Sequence, residues 1–267
     1  MDEEKLGKGD NNLELKELVK ESYYHEKNGM LLKGDCLELM QKFPDKSVDM
    51  ILCDLPYGTT QNKWDSVICL NDLWKQYKRI IKEHGVIVLT AQTPFDKVLG
   101  VSNLEMLKYE WIWEKSKSTG CLNARKMPMK IHENILVFYK NLPTYNPQMT
   151  EGKPYKNNHK AGDTGSNYGE NKKEHSYEND GTRFPKSIQY FESVKSNEQL
   201  HPTQKPVSLF AYLIRTYTNE NEMILDNAAG VCTTSIACKI LNRKWICIEK
   251  EEKYCDISVE RIKNHSI

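Results

Sequence analysis

The sequence predicts an α/β fold, a mostly parallel sheet with helices on both faces. Three observations carry this expectation. From Met30 to the C-terminus, segments of helical periodicity alternate with strand-sized aliphatic runs. Runs such as "DMILCDL" and "GVIVL" are nearly unbroken in apolar residues, as parallel strands buried on both faces are. One later run is followed by a turn of small residues and then a helix, which is the anatomy of a nucleotide-binding βαβ unit.

Taken in order, residues 1–29 form a polar extension with a weak helical pattern at Leu13, Leu15, Leu18 and Val19. "MLLKGD" reads as a strand, "CLELMQKF" as a helix and "SVDMILCD" as a buried strand. "LNDLWKQYKRIIKEH" carries an apolar stripe at Leu70, Leu73, Trp74, Tyr77, Ile80 and Ile81, so it is a helix, with Gly85 as its cap. "VIVLTA" is the next strand and "TPFDKVLGVSNLEML" a further helix. "YEWIWEK" and "ENILVFYK" are strand-like. From 141 to about 200 the chain is rich in Asn, Gly, Lys, Pro and Tyr and poor in aliphatics, so it builds no core and reads as a functional or disordered insertion. Regularity returns with "VSLFAYLIRTYT" (helix), "EMILD" (strand), "TTSIACKILN" (helix), "KWICIE" (strand) and a closing helix, "EEKYCDISVERIKN".

Composition narrows the function classes. Apolar residues make up 39% and charged ones 28%, and no apolar run approaches the ~20 residues of a membrane span. The polar, acidic N-terminus is unlike a secretory signal. The eight cysteines include no CxxC pair, and Cys53, Cys238 and Cys247 sit in apolar patterns. Buried thiols in a reducing cytoplasm are therefore expected. The seven histidines lack ligand spacing, so no metal is expected. Net charge is only +1, yet residues 115–173 hold eleven Lys/Arg against four Asp/Glu, a local excess suited to an anionic partner.

Two stretches carry chemistry. In "MILDNAAGVCTTSIACKILNRKWICIE", Asp226 ends a strand and Glu249 ends the next, 23 positions on. Small residues between them let a ligand approach the backbone, Thr233 and Thr234 can cap the helix, and the second acid can grip ribose hydroxyls. The spacing also fits NAD enzymes, but the GxGxxG that suits a pyrophosphate is missing, which favours a cofactor without phosphates. In "ILCDLPYG", Asp54 and the Leu55 carbonyl offer two acceptors at the C-terminal edge of a strand, Pro56 fixes the backbone and Tyr57 supplies a flat face. Two acceptors beside a ring suit an exocyclic amino group on a planar base, because holding its N–H bonds frees the nitrogen lone pair, and the ring can hold a base swung out of a duplex.

These residues resemble a known family. "DLPY" is similar to the (D/N/S)-P-P-(Y/F/W) motif of amino-directed DNA methyltransferases. "LDNAAGVCTT" resembles their "LDPFAGSGTT" loop, "HPTQKP" their segment before it, and "WICIEKEEKY" their "GIEIDPEY". An early "GDC" (Gly34, Asp35, Cys36) is also typical, and the catalytic-first order is that of the β class. The resemblance covers about residues 30–264. It implies a Rossmann-like, S-adenosylmethionine-dependent methyltransferase fold with circularly permuted motifs. The implied catalytic half is 30–140, the inserted target-recognition region 141–200 and the cofactor-binding half 201–267. Asp54 with the Leu55 carbonyl would orient the target amine, with Pro56 between them and Tyr57, which would stack on the flipped base. Glu249 would bind the cofactor ribose, while Asp226, Ala228 and Gly230, with Thr233 beside them, would line its methionine and sugar. Thr203 and Lys205 would meet the methionine carboxylate, and Asp35 and Cys36 would lie near the adenine ring.

The implied activity is site-specific methylation of adenine N6 in double-stranded DNA by base flipping, with no metal and no membrane. Adenine follows from Asp at the first motif position, where cytosine-N4 enzymes more often have Ser. Similar enzymes often dimerise and work beside a restriction endonuclease. The chain departs from the family pattern twice: Leu55 replaces a proline, and Cys232 replaces a glycine, where its β-carbon would crowd the cofactor. The alternatives are thus a cytosine-N4 enzyme and a catalytically inactive DNA-binding relative.

Overall fold

The computed structural model describes residues 17–58, 66–159 and 175–265. Leu13, Leu15 and residues 160–174 of the inserted segment lie outside these. The chain divides into a main body, 1–146 with 187–267, and a smaller unit, 147–186.

In the main body, β1 (Tyr24–Glu26), β2 (Gly29–Lys33), α1 (Cys36–Met40) and β3 (Val48–Asp54) are followed by α2 (Leu70–Ile80) and β4 (Ile81–Ala91). Next come α3 (Phe95–Val101), β5 (Leu107–Thr119) and β6 (Lys130–Phe138). The smaller unit holds β7 (Thr150–Glu151), β8 (Tyr155–His159), β9 (His175–Asn179) and β10 (Thr182–Arg183). The main body resumes with β11 (Ile188–Phe191), α4 (Val207–Tyr217), β12 (Met223–Asp226), α5 (Thr233–Ile240), β13 (Lys244–Glu249) and α6 (Glu252–Asn264).

Nine strands form one sheet in the order β1-β2-β13-β12-β3-β4-β6-β5-β11. The run from β2 to β4 is parallel, and β6 is antiparallel to both β4 and β5. Alternate residues of each strand point to opposite faces, so both faces must be covered. Ile51, Cys53, Leu89 and Ile248 pack under α1, α2 and α3, where Met40, Leu73, Tyr77 and Leu99 meet them. Met50, Leu52, Val88 and Cys247 pack under α4, α5 and α6 with Leu213, Ile236 and Ile262.

Gly85 is not a helix cap. The helix stops at Ile80, and Gly85 lies inside β4, where a Cβ would come within 2.9 Å of the Asp49 carbonyl oxygen. Nor is 103–106 helical: α3 ends at Val101 and a turn leads into β5.

The inserted segment contains strands despite its polar composition. β11 pairs parallel to β5 as an edge strand of the main sheet. Within the smaller unit β7 pairs with β10 and β8 with β9, both antiparallel, and the Arg183 guanidinium lies 4.6 Å from the centre of the Tyr155 ring. Among the described residues no helix is long and apolar enough to cross a membrane, and no cluster of His, Cys, Asp and Glu could hold a metal ion.

Candidate active site

Parallel strands end together, and β2, β13, β12 and β3 deliver their last residues to one sheet edge. A cleft of about 540 Å³ opens there. Asp35 and Cys36 line it at the start of α1, Asp54 to Tyr57 from the end of β3, Asp226 to Val231 from the end of β12, and Glu249 at the end of β13.

Asp54 is held on both carboxylate oxygens. Its Oδ1 accepts from the Tyr57 hydroxyl at 2.6 Å and from the Thr90 hydroxyl, and its Oδ2 accepts from Lys205 Nζ at 2.6 Å. The Tyr57 ring stacks on Phe95 at 5.3 Å, and Lys205 Nζ lies 5.6 Å from its centre. Lys205 also lies 3.3 Å from Glu133, which meets Lys115 at 3.2 Å. These charges are nearly dry: Lys205 is 6% exposed and Glu133 12%. Burial works against the charged form of Lys205, but Asp54 and Glu133 outweigh it and raise its pKa. Burial pushes Glu133 up, and Lys205 and Lys115 more than reverse this, so its carboxyl is held below its ordinary value.

At the other end of the cleft, Glu249 accepts from the backbone N–H of Gly230 and of Glu251, each at 2.8 Å. Burial pushes its carboxyl up in spite of these bonds. Asp226 is buried deeper. It accepts from the Thr234 hydroxyl at 2.5 Å and the Ala228 N–H at 3.3 Å, and burial raises its pKa to about 7. Asp35 caps α1 by accepting from the Leu37 N–H at 2.9 Å.

Residues 48–260 match the family model described as DNA methylase, covering N6 and N4 methyltransferases. The chain belongs to the N6/N4 DNA methylase family. It is 28% identical to the Type II methyltransferase M.HinfI of Haemophilus influenzae over 87% of its own length and 68% of the relative's. It is 26% identical to M2.MboI of Moraxella bovis, over 88% of each chain. Among solved structures, the complex of M1.HpyAVI with SAM covers 88% of this chain and 98% of its own, at 21% identity and a TM-score of 0.62. The PvuII DNA methyltransferase, described as cytosine-N4-specific, covers 92% and 93% at 17% identity and a TM-score of 0.67. The fold expected from the motifs, an α/β methyltransferase fold with a mostly parallel sheet, is the fold found.

Of the residues of this DNA methylase singled out in its sequence, Asp35, Cys36, Asp54, Leu55, Pro56, Tyr57, Thr203, Lys205, Asp226, Ala228, Gly230, Thr233 and Glu249 all line the one cleft. Several differ in what they touch. Lys205, expected at a cofactor carboxylate, is bound to Asp54. The Thr203 N–H donates to His201 Nδ1 at 3.2 Å. Neither Thr233 nor Thr234 caps α5: both lie within it, Thr233 accepting from Arg261 Nη1 at 3.1 Å while Thr234 serves Asp226. Cys232 is the N-cap, in the left-handed region at φ 53°, and this turn buries its side chain among Ile236, Cys238 and Cys247. Cys232 is not among the cleft-lining residues, although its neighbours Val231 and Thr233 are. Leu55 is buried at 3%, which accounts for an aliphatic residue where the family motif has proline.

Sequence reasoning missed Glu133, Lys115 and Thr90, the polar shell around Asp54. It also missed Asn227, which accepts from the Tyr77 hydroxyl at 2.5 Å. No local signal marks Lys115 or Glu133, because the same strands carry other charges at Lys108, Glu110, Glu114, Lys117 and Lys130.

Proposed function

We propose that this DNA methylase is adenine-specific, transferring a methyl group from S-adenosylmethionine to adenine N6 in double-stranded DNA after flipping the base. The observation that carries the reading is the placement of Asp54, anchored by Lys205, Tyr57 and Thr90, in the same cleft as Asp226 and Glu249.

The donor set fits the cofactor. Each Glu249 oxygen meets one backbone N–H, which leaves lone pairs for ribose hydroxyls. Gly230 sits at φ 53°, and the atoms nearest to a Cβ there would be those of His201 at 3.7 Å, so the turn is open. Above its raised pKa of about 7, Asp226 supplies negative charge suited to a sulfonium. When bound, the cofactor supplies an electrophilic methyl group.

The chain's own residues prepare the nucleophile. Asp54 and the Leu55 carbonyl accept from the two amino N–H bonds, turning the nitrogen lone pair out of the ring system. The Asp54 carboxylate takes the proton that the amine loses. Three donors fix that carboxylate before substrate arrives, so little reorganisation accompanies the reaction. Tyr57, backed by Phe95, offers its face to the extruded base. Adenine is favoured over cytosine by Asp at position 54, a tendency within the family. Residues 141–200 would read the target sequence, with Arg183 suited to phosphate or guanine and the asparagines to adenine edges. The same reading includes a restriction endonuclease partner, supported by the Type II names of its relatives.

Expression in methylation-free cells, nucleoside digestion and mass analysis tests it. N6-methyladenine at one sequence is the expected product. N4-methylcytosine would move the assignment to the cytosine enzymes, and unmodified DNA would favour a non-catalytic binder.

A further inference from the structure

We infer that the β5–β6 hairpin, residues 116–132, grips duplex DNA at the mouth of the cleft, with Leu122 as a wedge that occupies the gap left by the extruded base. This rests on the base-flipping reading above.

The hairpin's composition does not suit a turn that only joins two strands. Residues 116–129 are all exposed, and at their tip Leu122, in the short turn Cys121–Asn123, is 97% exposed. Met127, Met129 and Ile131 follow on the return limb and are also exposed. From Lys115 to His132 there are five Lys/Arg and no Asp or Glu. Among the described residues no ion pair engages Lys117, Arg125 or Lys126. An apolar tip ringed by unpaired cations fits a polyanion with an apolar interior, which is what a base-paired duplex is. It fits a second copy of this chain poorly, since two such hairpins would repel each other.

The hairpin is rooted in the cleft. Trp113, Lys115, Lys117 and Thr119 of β5 and Glu133 of β6 line it, and Lys130 donates to Gln92, another lining residue, at 3.3 Å. Leu122 lies three residues beyond Thr119, so at most about 11 Å along the chain separates the tip from the cleft wall. Enzymes that extrude a base must offset its lost stacking, and an inserted aliphatic side chain does so.

Two measurements test this, with S-adenosylmethionine affinity as the folding control. The first uses Arg125→Gln/Lys126→Gln and a labelled duplex of arbitrary sequence, followed by fluorescence anisotropy. Two lost phosphate contacts should make the ratio of wild-type to variant affinity fall about tenfold between 50 and 200 mM salt. Parallel salt plots would overturn the proposal. The second uses Leu122→Ala on the methylated sequence. Turnover should drop at least tenfold on the paired duplex and return to within about twofold of wild type when the target base faces an abasic site. An equal effect on both duplexes, or none, would overturn the wedge. A variant with altered oligomeric state and unchanged DNA binding would assign the surface to a second copy instead. If the wild-type protein methylates no DNA, the base-flipping reading fails, and the salt plots still judge the hairpin.

Discussion

Replacing Asp226 by Asn should make the protein more stable, by an amount that grows with pH. Asp226 is 3% exposed, and its carboxylate meets one hydroxyl and one N–H. Burial raises its pKa from 3.8 to about 7. Between those values the folded protein holds a proton that the unfolded chain has released, so the contribution of Asp226 to stability is fully present below pH 3.8 and is lost as pH rises through 7. At about 1.4 kcal/mol per pH unit, the interval amounts to about 4 kcal/mol at pH 8. Asparagine has nearly the same shape, can accept from Ala228, and does not titrate. Denaturant unfolding of both proteins from pH 4 to 8 checks this, since other titrating groups cancel in the difference. The variant should gain little at pH 4 and up to ~4 kcal/mol at pH 8. A difference that does not change with pH would refute the argument that Asp226 is ionised against its surroundings.

Asp54→Ala should abolish methyl transfer yet leave S-adenosylmethionine affinity, measured by calorimetry, nearly intact; appreciable turnover would mean that another group orients the amine. Lys205→Met should cost roughly 3–5 kcal/mol, because it leaves Asp54 and Glu133 buried beside each other. Adding Glu133→Gln should restore part of that loss, whereas strictly additive effects would show the pair to be uncoupled. In the wild-type protein the contribution of Glu133 to stability is present above pH 4.5 and is lost as pH falls through its lowered folded-state value, a dependence that Lys205→Met should shrink. Cys232→Gly relieves a left-handed backbone but removes a buried thiol, opposing effects of about 1 kcal/mol each. Cofactor affinity should stay within about twofold, and a tenfold loss would show that the side chain reaches the ligand after all.

Much of this fold is legible in the sequence because the strands that hold the cleft are buried on both faces. Such strands read as continuous aliphatic runs, as "MILD" and "KWICIE" do. The site residues on those strands are legible for a related reason: Asp54, Asp226 and Glu249 are charges that end apolar runs. The shell around Asp54 is different in kind. Lys205 reaches it across 151 positions, and Glu133 enters through the antiparallel register that sets it opposite Trp113. A period of two reveals neither strand direction nor partner. The inward turn of Cys232 is not legible, because residue type does not announce a left-handed backbone unless the residue is glycine.

The sheet order has a consequence for how the protein comes into being. β2 and β3 are neighbours along the chain, yet β13 and β12, made much later, lie between them. While the ribosome is still extending the molecule, both early strands therefore present bare hydrogen-bonding edges with nothing to pair. Closure has to await the synthesis of β12 and β13, a slow, long-range step that leaves the nascent polypeptide open to misassembly. A product terminated before β12 would lack the middle of its own sheet, and with it Asp226 and Glu249.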